Sequence, residues 1–191
     1  MGATPVKTIE VVATEISDLK LIVPRIQRDH RGYFSETYSK AGFSALGVNL
    51  EFVQDNHSLS VERGVVRGLH FQIPPFAQDK LIRVIRGSIF DVAVDLRRES
   101  ATYGKHVARV ISVTNWNQFL VPIGFAHGFC TLEANTEVIY KVTNYYAQEH
   151  DRGLMWNDPD LKIAWPIAEG EAILSDKDRK QPRFRDLPHY F

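Results

Sequence analysis

Cysteine is almost missing from this chain. Cys130 is the only one among 191 residues, so no disulfide can close within one copy, and a reducing, cytoplasmic setting is the expectation. An excess of either charge is missing too. Lys and Arg together number 23, Asp and Glu also 23, and the formal charge of zero leaves no basic face for broad nucleic-acid binding. No apolar run approaches membrane-spanning length, which argues against a membrane partner. Met1–Glu10 lacks the apolar core and cleavage pattern of a signal peptide, and Val6 stands where a myristoylated N-terminus needs Ser or Thr. No repeat and no low-complexity linker divides the chain, so residues 1–191 are expected to form one domain. Gly-x-Ser-x-Gly and phosphate-cradling glycine loops are absent, and Cys130 lies in an apolar run without an activating charge, so it reads as core.

What is present is a succession of short strands. Ile9–Val23 contains period-two pieces, and Asp29-x-Arg31-Gly32 is a tight turn leading into a strand over Tyr33–Tyr38. Ser39 caps a short helix through Leu46 that Gly47 ends. Phe52–Ser58 is a strand with amides on one face, Gln54 and Asn56, which suits an exposed edge or a ligand. From Gly64 onward, apolar runs of four to nine residues alternate with Gly, Pro, Asn and Asp: Val65–Phe71, Leu81–Ile85, Ser88–Leu96, His106–Val113, Gln118–Val121, Ala126–Thr131 and Thr136–Asn144. This pattern predicts an all-β antiparallel sandwich or barrel. The tail from Asp151 is turn-rich, and Ser175 followed by Asp178 fits the start of a short helix.

The chemistry concentrates in Arg67-Gly-Leu-His-Phe-Gln72 and Lys80. Arg67 and His70 are three apart, so an ordinary strand points them to opposite faces unless Gly68 lets the backbone bulge. His70 is either a half-buried strand histidine or a base whose reference pKa, roughly 6.5, suits neutral pH. Tyr140, in an otherwise apolar strand, is either a core tyrosine or a proton donor. Pro122-x-Gly124-x-x-His127 is similar to the second half of the cupin pattern, but no His-x-His pair supplies the first half. A metal site therefore cannot be assembled from these motifs. Proton transfer is the chemistry these residues fit best.

Taken together, Asp29-x-Arg31-Gly-x-Phe34, Gln54-Asp-Asn-His57, Val66-Arg-Gly-Leu-His-Phe-Gln72, Lys80, Gly87-x-Ile-x-Asp-Val-Ala-Val-Asp-Leu-Arg97, Pro122-x-Gly-Phe-Ala-His-Gly-Phe129, Tyr140-Lys and Trp156-Asn-Asp-Pro159 resemble the dTDP-4-dehydrorhamnose 3,5-epimerase family, in order and over nearly the whole chain. The resemblance implies a metal-free, cofactor-free cupin-type jelly roll with short helices. It also implies a homodimer with strand exchange at the N-terminus, acting on a dTDP-4-keto-6-deoxyhexose. By the same resemblance His70 is the base, Lys80 steadies the enolate, Tyr140 is the opposing acid and Asp178 orients the histidine. Arg31, Glu36, Gln54, Asn56, Arg67, His127 and Lys177 are implied substrate contacts, and Tyr146 stacks on thymine. Asp151 stands where the family usually has a glutamate. A C3-only or C5-only epimerase, a 3,4-ketoisomerase, a metal-dependent oxygenase and a non-catalytic carbohydrate-binding cupin are the competing readings.

Overall fold

Two antiparallel sheets lie face to face in a computed structural model that describes residues 9–191. The reading of the first eight residues as neither leader nor lipid site lies outside that range. In chain order the strands are β1 (Ile9–Ala13), β2 (Lys20–Pro24), β3 (Gln27–Asp29), β4 (Gly32–Phe34), β5 (Gln54–Ser60), β6 (Val66–Gln72), β7 (Lys80–Arg86), β8 (Ser88–Asp95), β9 (His106–Ser112), β10 (Gln118–Val121), β11 (Phe125–Thr131), β12 (Thr136–Val142) and β13 (Asp151–Gly153). One sheet runs β1-β2-β10-β7-β12-β5 and the other β13-β6-β11-β8-β9, while β3 and β4 form a separate hairpin. This is the antiparallel sandwich expected from the strand pattern, in the cupin-like jelly-roll form that the family resemblance implied.

The alternation along each strand sorts side chains into layers. Ile82 and Val84 of β7, Phe119 and Val121 of β10 and Val138 of β12 meet Ile89 and Ala93 of β8, Val107 and Ile111 of β9 and Phe125 and Phe129 of β11 between the sheets. The outer face of the five-stranded sheet is also covered. Leu69, Phe71, Val92, Val94 and Ala126 pack there against Leu154, Leu161 and Leu187, with Phe184, Tyr190 and Phe191 alongside. Strands buried on both faces lose their polar positions, which is why β8 and β11 read as nearly unbroken apolar runs. The outer face of the six-stranded sheet packs Ile22, Leu81 and Leu120 against Phe43 of the short helix α1 (Lys40–Ser44).

Local chemistry explains most boundaries. The Ser39 side chain accepts from the Gly42 N–H, capping α1 as expected. The strand expected over Tyr33–Tyr38 stops at Phe34, because side chains take over the backbone pairing beyond it. Ser35 Oγ donates to the Arg25 carbonyl at 2.8 Å, and the Gln118 amide donates to the Thr37 carbonyl at 2.7 Å. The helix expected after Ser175 is a single 3-10 turn, Asp178–Lys180, anchored by the Asp178 N–H donating to Ser175 Oγ at 3.1 Å.

Gly68 is the position that shapes the functional face. Val66 belongs to an outer cluster with Cys130 and Trp156, and Leu69 and Phe71 also face outward. Val66 and Leu69 are three apart, so the alternation slips one step between them, and the β6–β11 register shifts opposite, between His127 and Phe129. Arg67 and His70 consequently face the same side, as the glycine suggested. Gly68 has φ +129°, and a Cβ there would lie 2.6 Å from Gly128 Cα and 2.9 Å from the His127 carbonyl oxygen. We expect Gly68→Ala to lose about 2–4 kcal/mol through backbone strain and clash. Gly170→Ala, where a Cβ meets nothing within 4 Å, should stay within about 0.5 kcal/mol. Urea unfolding of both variants measures the difference, and equal losses would refute the role given to Gly68.

Candidate active site

The space between the sheets opens at one end, where apolar residues give way to polar ones on the same inward faces. Gln54, Asn56 and Ser58 of β5 alternate with exposed Asp55, His57 and Leu59, so the amides point inward. Tyr140 follows Val138 on β12, and Lys80 precedes Ile82 on β7. Across from them stand Arg67 and His70 of β6 and His127 of β11, with His127 paired directly to His70 in the register. The cavity they enclose has a volume of about 470 Å³, and its wall includes Arg67, His70, Lys80, His127, Tyr140 and Asp178. A smaller cavity of about 160 Å³ is lined by Gln54, Asn56, Gln72, Tyr146 and Asp151, together with His70, Lys80 and Tyr140. Among the described residues, those last three are the only side chains that line both.

Each of the three has a defined environment. The tail delivers Asp178 to β6, where its Oδ1 accepts a short hydrogen bond from Nε2–H of His70. Ser175 Oγ donates to the other oxygen at 2.8 Å. Burial raises the Asp178 carboxyl, but the His70 bond, Ser175 and the charge of Lys177 outweigh it and hold the group below the ordinary carboxylate range. Asp178 is thus the ionised partner of the ring, which it engages through Nε2–H, leaving Nδ1 outside that bond. Lys80 donates from Nζ to the His70 carbonyl at 3.3 Å. Burial pushes its ammonium down to about 8, against the opposing pull of Asp151 and Asp91. Burial likewise raises the Tyr140 phenol, with Arg67 opposing and Asp151 reinforcing, so it stays protonated at neutral pH.

The remaining candidates divide into two groups. Arg67 is fixed by hydrogen bonds to Ser60 Oγ and the Leu59 carbonyl, both at 3.1 Å. Gln54 donates to Asn56 Oδ1 at 2.9 Å, and the Tyr146 hydroxyl donates to Asp151 Oδ2 at 3.2 Å. Lys177 is ion-paired with that same Asp151 oxygen at the rim. Arg31 and Glu36 are elsewhere. Arg31 sits in the β3–β4 turn, paired with Asp29 at 2.6 Å with its side chain 78% exposed, and Glu36 is exposed just beyond the hairpin. Neither reaches the cavity of its own chain.

Sequence reasoning assigned nothing to Gln72, although it named the amide. Gln72 is buried, donates to the Phe76 and Tyr145 carbonyls at 2.6 and 3.1 Å, and accepts from the Ala147 N–H at 2.7 Å. It thereby clamps the segment that carries Tyr146. Asp91, fully buried behind His127, was also missed. Among the described residues there is no cluster of three or more His, Cys, Asp or Glu side chains that could hold a metal ion, and no helix is long and apolar enough to cross a membrane.

Comparison with known proteins is consistent across sequence and structure. Residues 13–186 match the family model described as dTDP-4-dehydrorhamnose 3,5-epimerase. The dTDP-4-dehydrorhamnose 3,5-epimerase of Sinorhizobium fredii is 50% identical over 191 residues, covering 100% of this chain and 97% of that protein. The crystal structure of the Bacillus anthracis enzyme of that name, with TDP and pyrophosphate bound, superposes with a TM-score of 0.89 at 51% identity, covering 92% of this chain and 99% of the other. The Legionella pneumophila dTDP-6-deoxy-D-glucose-3,5-epimerase, in complex with dTDP-4-keto-L-rhamnose, gives a TM-score of 0.89 at 41% identity, with coverages of 94% and 95%.

Proposed function

The chain belongs to the dTDP-4-dehydrorhamnose 3,5-epimerase family, and from that premise we propose how its residues divide the work. The reaction inverts C3 and C5 of dTDP-4-dehydro-6-deoxy-D-glucose, giving dTDP-4-dehydro-L-rhamnose on the route to dTDP-L-rhamnose. Both carbons flank the C4 ketone, so removing either proton leaves an enolate whose charge rests on the C4 oxygen.

One observation carries the assignment of roles: His70, Lys80 and Tyr140 are the side chains common to both cavities. A sugar ring at that junction meets a base, a cation and an acid together. His70 removes the proton through Nδ1 while Asp178 stabilises the imidazolium that forms. Lys80 faces the oxygen that becomes negative, an interaction strengthened by desolvation and worth about 2–4 kcal/mol by comparison with oxyanion-hole donors. Tyr140 returns a proton from the opposite ring face, and delivery from that face inverts the centre. His70 then gives its proton to solvent and the phenolate recovers one, so the cycle closes without net proton change.

The rest of the nucleotide sugar is held by the surrounding polar residues. Arg31 and Arg67 suit the diphosphate, because a guanidinium fork matches phosphate oxygens, and His127 faces the sugar from the cavity wall. Tyr146, 59% exposed, offers its ring to thymine, with Gln54, Asn56, Asp151 and Lys177 around it. Residues 1–191 act as one catalytic domain in the cytoplasm, where nucleotide sugars are made and a lone thiol stays reduced. The position of Arg31 and Glu36 supports a homodimer. Arg31 projects from a hairpin whose Tyr33 and Phe34 are 57% and 69% exposed, Glu36 follows just beyond it, and in a strand-exchanged pair each such segment completes the other copy's site.

Turnover of the 4-keto sugar nucleotide in deuterated water should place label at both C3 and C5. Label at only one carbon would point to a single epimerase, and a moved carbonyl to a ketoisomerase. His70→Ala and Tyr140→Phe should each slow turnover at least ~10²-fold, and near-normal rates in either variant would remove that residue from the mechanism.

The lysine makes a separate prediction. Its ammonium form exists below about pH 8 and is lost as pH rises through that value. kcat/KM should therefore fall about tenfold per pH unit above pH 8. Lys80→Gln should work at a low rate with no inflection there; an unchanged inflection in that variant would assign the limb to another group.

Hairpin exchange is tested by co-expressing Arg31→Ala with His70→Ala. Half of randomly paired dimers are mixed and each holds one intact site, so about a quarter of wild-type activity should return. No recovery beyond the separate variants would exclude a hairpin shared between copies.

A further inference from the structure

Behind the cavity wall lies a carboxylate that no step above has used. Asp91 sits on β8 between Ile89 and Ala93 in the alternation that faces the interior, and it is fully buried. Its Oδ1 accepts from Nε2–H of His127 at 2.5 Å, and its Oδ2, equally buried, has no hydrogen-bond partner among the described residues. A buried carboxylate with one unengaged oxygen is costly, and packing alone would favour an apolar residue among these neighbours. The charge therefore calls for a counterpart. Two cavity groups supply it: the ring of His127, and the ammonium of Lys80, which feels Asp91 through space.

We infer that Asp91 is a positioning residue for the epimerisation, fixing the His127 ring at the cavity wall and setting a buried negative charge behind it. The inference rests on the function proposed above. His127, with Nε2–H engaged, is left with Nδ1 as its only nitrogen available to a ligand. Its place directly opposite His70 in the β6–β11 register sets both rings on one wall, each tied to its own buried aspartate.

Of the other charged and titratable groups around this centre, Asp151 also supports the Lys80 ammonium, and ahead of Asp91, but among the described residues none other than Asp91 hydrogen-bonds the His127 ring. Asp151, approaching from β13, is already ion-paired with Lys177 and accepts from Tyr146. Asp178, from the tail, is engaged by His70 and Ser175. Lys177 at the rim opposes the charge on Lys80, Arg67 on β6 is a second cation on the cavity wall, and Tyr140 on β12 is a neutral phenol. Among the described carboxylates, Asp91 alone combines full burial with an unengaged oxygen.

Asp91→Asn keeps the shape and removes the charge. It should lower kcat at least ~10-fold, with a smaller change in KM, and move the alkaline limb of kcat/KM to lower pH. The wild-type profile with its limb near pH 8 is the reference. A slower variant with the limb unmoved would reduce Asp91 to a packing role, and unchanged kinetics would remove it altogether; either outcome overturns the inference. Failure of the proposed function is distinguishable, because the wild-type enzyme would then show no exchange at C3 or C5. Should Asp91→Asn not fold, nitrogen-15 imidazole spectra of the wild-type protein provide the test. They should show His127 protonated on Nε2, and a ring carrying its proton on Nδ1 alone would overturn the inference.

Discussion

The hydrogen bond from His70 to Asp178 joins residues 108 positions apart, and most of the fold serves to make it. His70 faces the interior only because the alternation of β6 slips at Gly68. Asp178 arrives only because the tail crosses the outer face of the five-stranded sheet, held by Leu161, Phe184 and Leu187, and turns back at Ser175. A weak base on a strand thus becomes an oriented one through a backbone slip and an apolar strap. The bond is buried on the aspartate side and open on the imidazole side, where a ring nitrogen stays available to the cavity.

The electrostatics of the site follow from this enclosure. Lys80 and Tyr140 are displaced from their ordinary values in opposite directions by the same cause, loss of water. For the lysine, desolvation makes the charge less stable until an anion appears beside it, which is the condition that the proposed enolate role requires. For the tyrosine, desolvation keeps the proton on oxygen, as the proposed role of acid requires. The two carboxylates nearest Lys80 keep the ammonium from being lost entirely. A neutral chain overall is compatible with this arrangement, because the charges are balanced within the cavity rather than spread over a surface.

The strands from Val66 to Val142 were legible because short apolar runs separated by turn residues have few alternative structures, and β10 has the bounds read from sequence. The slip at Gly68 was legible as well, since two functional residues three apart in a strand demand an explanation that glycine supplies. His70, Lys80 and Tyr140 carried local signals, each a polar group in an apolar setting. Asp178 did not: its partner is remote, and only the family resemblance pointed to it. Asp91 was harder still, because no spacing says that a carboxylate on β8 will meet a histidine on β11. The strap was illegible for a similar reason. Its apolar residues follow no period, and their purpose exists only against the sheet they cover. The short strand β13 was hidden in the same turn-rich tail, because three residues are too few to show alternation.

That strap has a further implication. Its grip depends on a handful of aromatic and leucine contacts near the last residue, whereas the sandwich is knit by long ladders. Segments held by few contacts open at lower free energy than those held by many. Peeling the final few dozen residues would strip the imidazole of its orienting partner while leaving both sheets standing. In such a molecule the catalyst can be switched off well before the scaffold melts, and a chain that looks folded need not be a working one.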